Sequence, residues 1–157
     1  MTSLEIRIAK PSDSGWIVDR HANLYRVEAG FDATFAPVVR RAVDSSFASG
    51  QGRGWIAEAG GAPIGCIFCV LEEPGWARLR LFLLEPEWRG KGLGHRLLRT
   101  CMEYAQASGA EAMRLSTHAS HRAACALYAR SGWVQVAARP VRNYGCDLEE
   151  LDWEFQF

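Results

Sequence analysis

The segment that most constrains the fold is residues 89–94, Arg-Gly-Lys-Gly-Leu-Gly. An apolar stretch of strand length, residues 76–84, precedes it, and apolar residues at helical spacing follow it. Glycines let the backbone approach a ligand closely, and the free N–H groups and dipole of a helix start attract anions. Arg89 and Lys91 add positive charge. The segment therefore predicts a phosphate-binding loop, and the alternative is a tight strand-to-helix turn without a ligand.

The glycine spacing narrows the choice of phosphate loop. The segment lacks the Gly-Lys-Ser/Thr ending of a P-loop, and its glycines do not fit the dinucleotide-binding fingerprint. The pattern Arg-x-x-Gly-x-Gly instead resembles the acyl-coenzyme-A pyrophosphate loop of the GNAT superfamily of N-acetyltransferases.

Composition limits the possible functions. The 157 residues are 48% hydrophobic with a net charge of zero, which predicts one domain, residues 1–157, with a proper core. A neutral chain argues against nucleic acid as a partner, and the absence of a long apolar run argues against a membrane. An odd count of five cysteines without a signal peptide predicts a cytoplasmic location. Cys66 and Cys69 should point to opposite faces of one strand, so we expect no metal site.

The hydrophobic pattern gives the element order β-α-α-β-β-β-α-β-α-β-β. Hairpin-linked strands indicate an antiparallel part and the strand–helix–strand units a parallel part. The predicted class is α/β (α+β), with a mixed, mostly antiparallel sheet flanked by helices. The pattern also predicts that Val27 lies on the core face of the first helix. It predicts a short helix that begins at His118 or Ser120 and includes Tyr128, followed by strands over residues 133–138 and 148–157. This order is the GNAT order, and the resemblance covers nearly the whole chain.

A second motif, residues 121–133, resembles the GNAT pattern Asn-x-x-Ala-x-x-Leu-Tyr-x-x-x-Gly-Phe. His121 stands where Asn is usual, and Trp133 stands for Phe. The resemblance implies that Tyr128 faces the coenzyme sulfur. A phenol with a pKa of about 10 stays protonated at neutral pH, so we expect a hydrogen bond to the developing thiolate rather than full proton transfer. The alternative is an ordinary packed aromatic residue. The matching positions are Ala124, Leu127, Tyr128 and Gly132.

The resemblance implies acetyl-CoA as co-substrate and no metal. The backbone of Phe82, Leu83 and Leu84 would pair with the pantetheine arm as an added strand. His118, at a strand end, would contact the coenzyme or relay a proton, or would simply start a helix. The residues expected to hold the pyrophosphate are Arg89, Gly90, Lys91, Gly92, Leu93, Gly94 and His95.

The group that removes the amine proton is the main departure from the family. Many relatives carry a Glu on the central strand, where this chain has Arg78 and Arg80 and no carboxylate before Glu85. Deprotonating a lysine-like amine at pH 7 costs about 3 pKa units, roughly 4 kcal/mol. Either another group is the base or the acceptor is already largely neutral. With Tyr128, the expected catalytic residues are Glu28 and His21, and Asp32 is a further candidate base.

The acceptor is expected to bind beside the first helix, near Tyr25, Glu28 and Phe31. For these residues the alternative is a solvated polar helix face. Strand alternation would put Arg78, Arg80, Phe82 and Leu84 on one face, where the arginines could read a negative group on the acceptor. The alternative for the arginines is pairing with Glu72 or Glu73 across the hairpin.

The string at residues 15–21 and the tail around residues 145–154 look like a GNAT subgroup often fused behind a MarR-type winged helix. The expected activity is acetyl-CoA-dependent transfer of an acetyl group to a primary amine of a small molecule or peptide. The alternative is a catalytically silent coenzyme-A-binding sensor or interaction module. A homodimer is left open, and the sequence does not name the acceptor.

Overall fold

The computed structural model describes residues 2–157. Over this range seven strands form one sheet in the spatial order β1-β2-β3-β4-β5-β7-β6. The strands are β1 (Leu4–Ile8), β2 (Gly52–Ala59), β3 (Ala62–Leu71), β4 (Trp76–Leu84), β5 (Ala112–His118), β6 (Val134–Asn143) and β7 (Cys146–Gln156). The helices over the same range are α1 (Ser14–Ala29), α2 (Phe35–Ala48), α3 (Leu93–Ala107) and α4 (Arg122–Arg130).

Neighbouring strands are antiparallel except β4 and β5, which are parallel. The predicted element order and the mixed, mostly antiparallel class are therefore confirmed. The sheet separates two cores, one against α3 and α4 and the other against α1 and α2. Side chains of the central strands alternate between them: Cys66 lies in the core beneath α1 and α2, and Cys69 in the core beneath α3 and α4. Their predicted opposite orientation is confirmed.

The buried face of α1 differs from the prediction. Val27 is 71% exposed, whereas Ile17 and Leu24 are buried. At about 100° per residue, Val27 lies about 80° around the helix axis from Ile17, which removes it from the packed stripe. His21, one turn from Ile17, is buried instead, with 2% of its surface exposed.

A bulge interrupts β4 at Leu81, which has a left-handed φ of 53°. Phe68 of β3 pairs with Arg80, but Cys66 pairs with Leu83, so Leu81 and Phe82 together oppose one residue of β3. An extra residue reverses the alternation of side chains along a strand. The bulge therefore decides which β4 side chains reach the site.

The predicted common face of Arg78, Arg80, Phe82 and Leu84 is wrong for this reason. Phe82 and Leu84 pack on the core beneath α3 and α4. Arg80 pairs with Phe68, which belongs to the core beneath α1 and α2. The two arginines thus lie on the opposite face from Phe82 and Leu84.

Two further differences shape the site. The α4 helix begins at Arg122, with His121 as its N-cap, rather than at His118 or Ser120. Strands β6 and β7 extend to a tight hairpin whose central residues, Tyr144 and Gly145, have φ of 56° and 75°. Positive φ at both central residues is the type I′ pattern that suits the twist of a hairpin. The hairpin reaches the connection between α1 and α2, where the N–H of Asp32 donates to Tyr144 O at 3.0 Å.

Candidate active site

A cleft opens where β4 and β5 separate. The described pairing of these strands covers Trp76–Arg78 against residues 112–114, and the cleft, of about 620 Å³, lies beyond it. Its walls come from α1, the end of β4, the loop before α3, and α4. The predicted site residues that line it are Tyr25, Glu28, Phe82, Leu83, Leu84, Arg89, Gly90, Gly92, Gly94, His95 and Tyr128.

The glycine loop forms one end of the cleft. Gly90 and Gly92 have φ of 73° and 85°, a left-handed conformation that side chains other than glycine adopt at a cost. A Cβ at either position would meet no described atom within 4 Å, so backbone conformation rather than lack of room explains these glycines. At Gly94, a Cβ would lie 3.5 Å from the Leu127 side chain, in ordinary contact. The loop thus exposes backbone and the first turn of α3 to the cleft.

Two residues of the loop point elsewhere. The Lys91 ammonium lies 5.1 Å from the centre of the Trp88 ring. Leu93 is buried in the core beneath α3 and α4, at 3% exposure. Neither residue is among those that line the cleft.

The Arg89 side chain turns towards α1. Its Nη1 and Nη2 donate to the Glu28 carboxylate at 2.6 and 2.9 Å, and its Nε donates to Leu84 O at 3.0 Å. The hydrogen bonds from Arg89 hold the pKa of Glu28 below its usual range. Glu28 is therefore an anion at neutral pH and a weak proton acceptor, while Arg89 links α1 to the glycine loop.

A second ion pair ties α1 to the same region. Arg20 donates to both oxygens of Glu85, with Nη2 at 2.8 Å from Oε2. Glu85 follows β4 directly and is 9% exposed. The pairs Arg20–Glu85 and Glu28–Arg89 thus clamp α1 at points two turns apart.

Tyr128 projects from α4 into the cleft and is 2% exposed. Its ring packs against Trp133, Trp153 and Phe82, with centroid distances of 5.7, 6.0 and 6.4 Å. Burial raises the pKa of its phenol well above the usual value. The group stays protonated at neutral pH and can donate a hydrogen bond.

His21 and Asp32 do not line the cleft. The His21 Nδ1 lies 2.7 Å from Ile17 O, and its ring meets the Tyr25 ring edge-on at 5.8 Å. Burial lowers the pKa of His21 to about 4. Asp32 accepts the N–H of Thr34 at 3.0 Å. These two residues make local contacts and are not among those that line the cleft, and their role as bases stays a prediction.

An aromatic cluster packs behind the α1 side of the cleft. Phe31, which is 2% exposed, packs against Tyr25 at 5.5 Å and against Tyr144 of the hairpin at 4.8 Å. His118 packs edge-on against Phe31 at 5.7 Å. Neither Phe31 nor His118 lines the cleft, so both support the residues that do.

Arg78 and Arg80 also lie outside the cleft lining. The Arg78 Nε donates to Glu72 at 3.0 Å, which confirms the alternative of cross-hairpin pairing for this residue. The parity argument that directed Arg80 towards an acceptor fails because of the bulge at Leu81.

Sequence reasoning missed His121 as a site residue. Its ring lines the cleft and stacks on Tyr25, with a centroid distance of 4.7 Å and an interplanar angle of 15°. Its Nδ1 lies 3.2 Å from Thr117 Oγ1. The available signal was the histidine in place of the usual Asn at the start of the second motif. Other lining residues that were missed are Thr117, Ser120, Arg122 and Arg130.

Comparison with known proteins identifies the family. The model of the acetyltransferase (GNAT) family matches residues 20–133, and the chain belongs to this family. N-acetyltransferase 8F1 of Rattus norvegicus is 28% identical over 102 residues, covering 62% of this chain and 46% of the relative. IAA acetyltransferase of Azospirillum brasilense is 29% identical over 100 residues, covering 63% of this chain and 64% of the relative. The alignments thus span about half to two thirds of these relatives.

A solved structure shares the fold. YncA of Salmonella typhimurium, determined with acetyl-CoA, superposes with a TM-score of 0.78 at 18% identity, covering 98% of this chain and 94% of that one. Among residues 2–157 no helix has the length and apolar character needed to span a bilayer.

Proposed function

We propose that this protein is an acetyl-CoA-dependent N-acetyltransferase that moves an acetyl group to a primary amine of a small molecule or peptide. The observation that carries the proposal is one continuous cleft, lined by the glycine loop, the end of β4 and Tyr128. Its two ends fit a phosphate and a reacting thioester. The family match and the acetyl-CoA in the Salmonella neighbour support this coenzyme.

The coenzyme would bind along the edge of β4. Past the bulge β4 has no described pairing with β5, so the backbone around Phe82 and Leu84 can pair with the pantetheine amides. The loop N–H groups at Gly90, Gly92 and Gly94 would hold the pyrophosphate beside His95. Tyr25 and Glu28 would contact the acceptor at the other end.

The reaction is direct attack. The amine nitrogen forms a bond to the thioester carbonyl, the C–S bond breaks, and the electron pair leaves with sulfur. Tyr128 would donate a hydrogen bond to that sulfur as its charge develops. A cytoplasmic location, a homodimer and the likeness to the MarR-fused subgroup stay predictions.

The test uses the full chain with acetyl-CoA and three amines: 2-phenylethylamine, spermidine and an alanine-initiated peptide. We expect release of free thiol that depends on one of these amines, together with formation of its acetamide by mass spectrometry. Calorimetry with acetyl-CoA alone gives the binding constant.

A silent coenzyme-A-binding module is the second candidate, since β4 carries no carboxylate and Glu28 is held by Arg89. Acetyl-CoA binding without thiol release in the presence of any of the amines would favour that module. No binding at all would refute both functions.

A further inference from the structure

His121 lies in the wall of the cleft, and one of its imidazole nitrogens has no hydrogen-bond partner among the described residues. We propose that the Nε2 atom of His121 takes the proton from the attacking amine. The inference rests on the proposed acetyl transfer and adds the missing proton acceptor to it.

The imidazole is held firmly. His121 occupies the N-cap position of α4, and its ring stacks on Tyr25 at 4.7 Å and bonds through Nδ1 to Thr117 Oγ1 at 3.2 Å. Thr117 and Tyr25 both line the same cleft. Two contacts from different elements therefore fix the ring plane and leave one nitrogen unclaimed.

The tautomer follows from the hydrogen bonds. Within residues 2–157 Nε2 of His121 is buried without a partner. A buried N–H without an acceptor is rarer in folded proteins than an incompletely satisfied acceptor. We therefore place the proton on Nδ1, donating to the Thr117 hydroxyl, which leaves the Nε2 lone pair available.

The other titratable groups of this region are less suited. Glu28 is engaged by Arg89 in two hydrogen bonds. His21 and His118 do not line the cleft, and His95 lies in the first turn of α3 beside the glycine loop. His121 is thus the one histidine that lines the cleft at its acceptor side.

The surroundings keep this imidazole neutral. The pKa of His121 is lowered to about 4, mainly by burial, with His118, Arg89 and His21 also lowering it and Glu28 raising it. A neutral ring can accept a proton throughout the physiological range. Because Nε2 is closed to solvent in this structure, an incoming amine reaches it only when a neighbouring side chain of the cleft wall moves aside.

The proton balance is complete. As the N–C bond forms, the amine nitrogen becomes cationic and gives its extra proton to Nε2. The C–S electron pair leaves as thiolate, hydrogen-bonded by Tyr128. When the products depart, His121 returns its proton to solvent and the thiolate takes one from solvent.

The experiment is chemical rescue in His121→Ala, using the most active amine of the three named above. Positioned proton transfer contributes about 10²–10⁴-fold, and for so weak a base we expect a loss of kcat near 10²-fold. Added imidazole should restore part of the rate with saturation, while the acetyl-CoA affinity measured by calorimetry stays within twofold. His118→Ala provides the comparison, and imidazole should not accelerate it.

Several outcomes would overturn the assignment. One is a wild-type kcat in His121→Ala, and another is a loss that imidazole does not relieve in a variant with intact coenzyme affinity. If the alanine variant does not fold, His121→Gln replaces it and must show the same loss, with the normal-to-heavy-water rate ratio altered. A wild-type protein that acetylates none of the amines refutes the proposed function itself, whereas an active wild type with an unaffected His121→Ala refutes this inference alone.

Discussion

The two ends of the cleft are built differently. The end proposed to bind the coenzyme comes from one run of chain, residues 82–95, in which a strand, a loop and a helix start follow each other. The end proposed to bind the acceptor joins α1, the end of β5, the start of α4 and the β6–β7 hairpin. Cys146 in that hairpin has its Sγ 3.6 Å from Ala29 O, across 117 positions of sequence.

The two ends differ in whether backbone groups or side chains face the cleft. The coenzyme end presents backbone groups, whose positions are set by left-handed glycines. The proposed acceptor end presents side chains held by ion pairs and aromatic stacking: Glu28, which pairs with Arg89 of the other end, and Tyr25, which stacks on His121. Substitutions at the first end should act through conformation and space, and those at the second through charge and proton affinity.

The strongest test of the coenzyme end is Gly92→Glu. A carboxylate on the anion site repels the phosphates, and such like-charge contacts cost several kcal/mol, so acetyl-CoA affinity should fall by about 10³-fold. Calorimetry measures it. Gly109→Glu is a matched control, because both glycines have positive φ, 85° and 97°, and a Cβ at either meets nothing described within 4 Å. Equal acetyl-CoA affinity in both variants would show that this loop does not bind the pyrophosphate.

Between the two ends, Tyr128→Phe removes one hydroxyl. If its hydrogen bond forms mainly in the transition state, kcat should fall by about 10²-fold with coenzyme affinity nearly unchanged. Steady-state rates and calorimetry separate the two quantities. Tyr104→Phe, on α3 against Trp55, should keep the wild-type rate. Unchanged turnover in Tyr128→Phe, with acetyl transfer rate-limiting, would leave Tyr128 a packing residue.

The clamp between α1 and the coenzyme loop is tested by Arg20→Ala. Glu85 is 9% exposed, so losing its partner leaves a nearly buried carboxylate. Removing one member of a buried pair costs about 3–5 kcal/mol, and because Arg20 is partly exposed we expect about 2 kcal/mol. Urea unfolding gives the free energy. The double variant Arg20→Ala with Glu85→Leu should recover most of the loss, and a failure to recover would mean that the arginine stem, not the charge pair, matters.

Glu28→Gln should have a smaller effect on stability than Arg20→Ala. The Glu28–Arg89 pair is partly exposed, so its loss should cost under about 1 kcal/mol. Since the pKa of Glu28 is lowered in the folded chain, its contribution is present above the unfolded value of about 4.3 and is lost as pH falls through the folded value. The free-energy difference from wild type, measured by urea unfolding, should therefore shrink below about pH 4.

A matched control is Glu103→Gln, which breaks the more exposed pair with Arg99. Its effect should be smaller still. If the difference in unfolding free energy between Glu28→Gln and wild type grew as the pH fell, the ion-pair explanation would be contradicted. A raised KM for the amine in Glu28→Gln, without a change in coenzyme affinity, would sharpen the contrast between the two ends.

Local patterns determined much of this protein. The element order and the glycine loop at residues 89–94 could be predicted from periodicity and spacing along the chain, and the place of Tyr128 next to the cleft from the resemblance of residues 121–133 to the GNAT motif. The opposite faces of Cys66 and Cys69 followed from strand periodicity in the same way.

Tertiary structure decided the rest. One extra residue at Leu81 reversed the face of Arg78 and Arg80 relative to Phe82, and a bulge leaves no clear mark in hydrophobic alternation. Glu28 and Arg89, 61 positions apart, meet because α1 docks on the end of β4, and His121 meets Tyr25 because α4 docks opposite α1. Periodicity reports which side of an element is apolar, but the partner of a polar side chain depends on how distant elements pack.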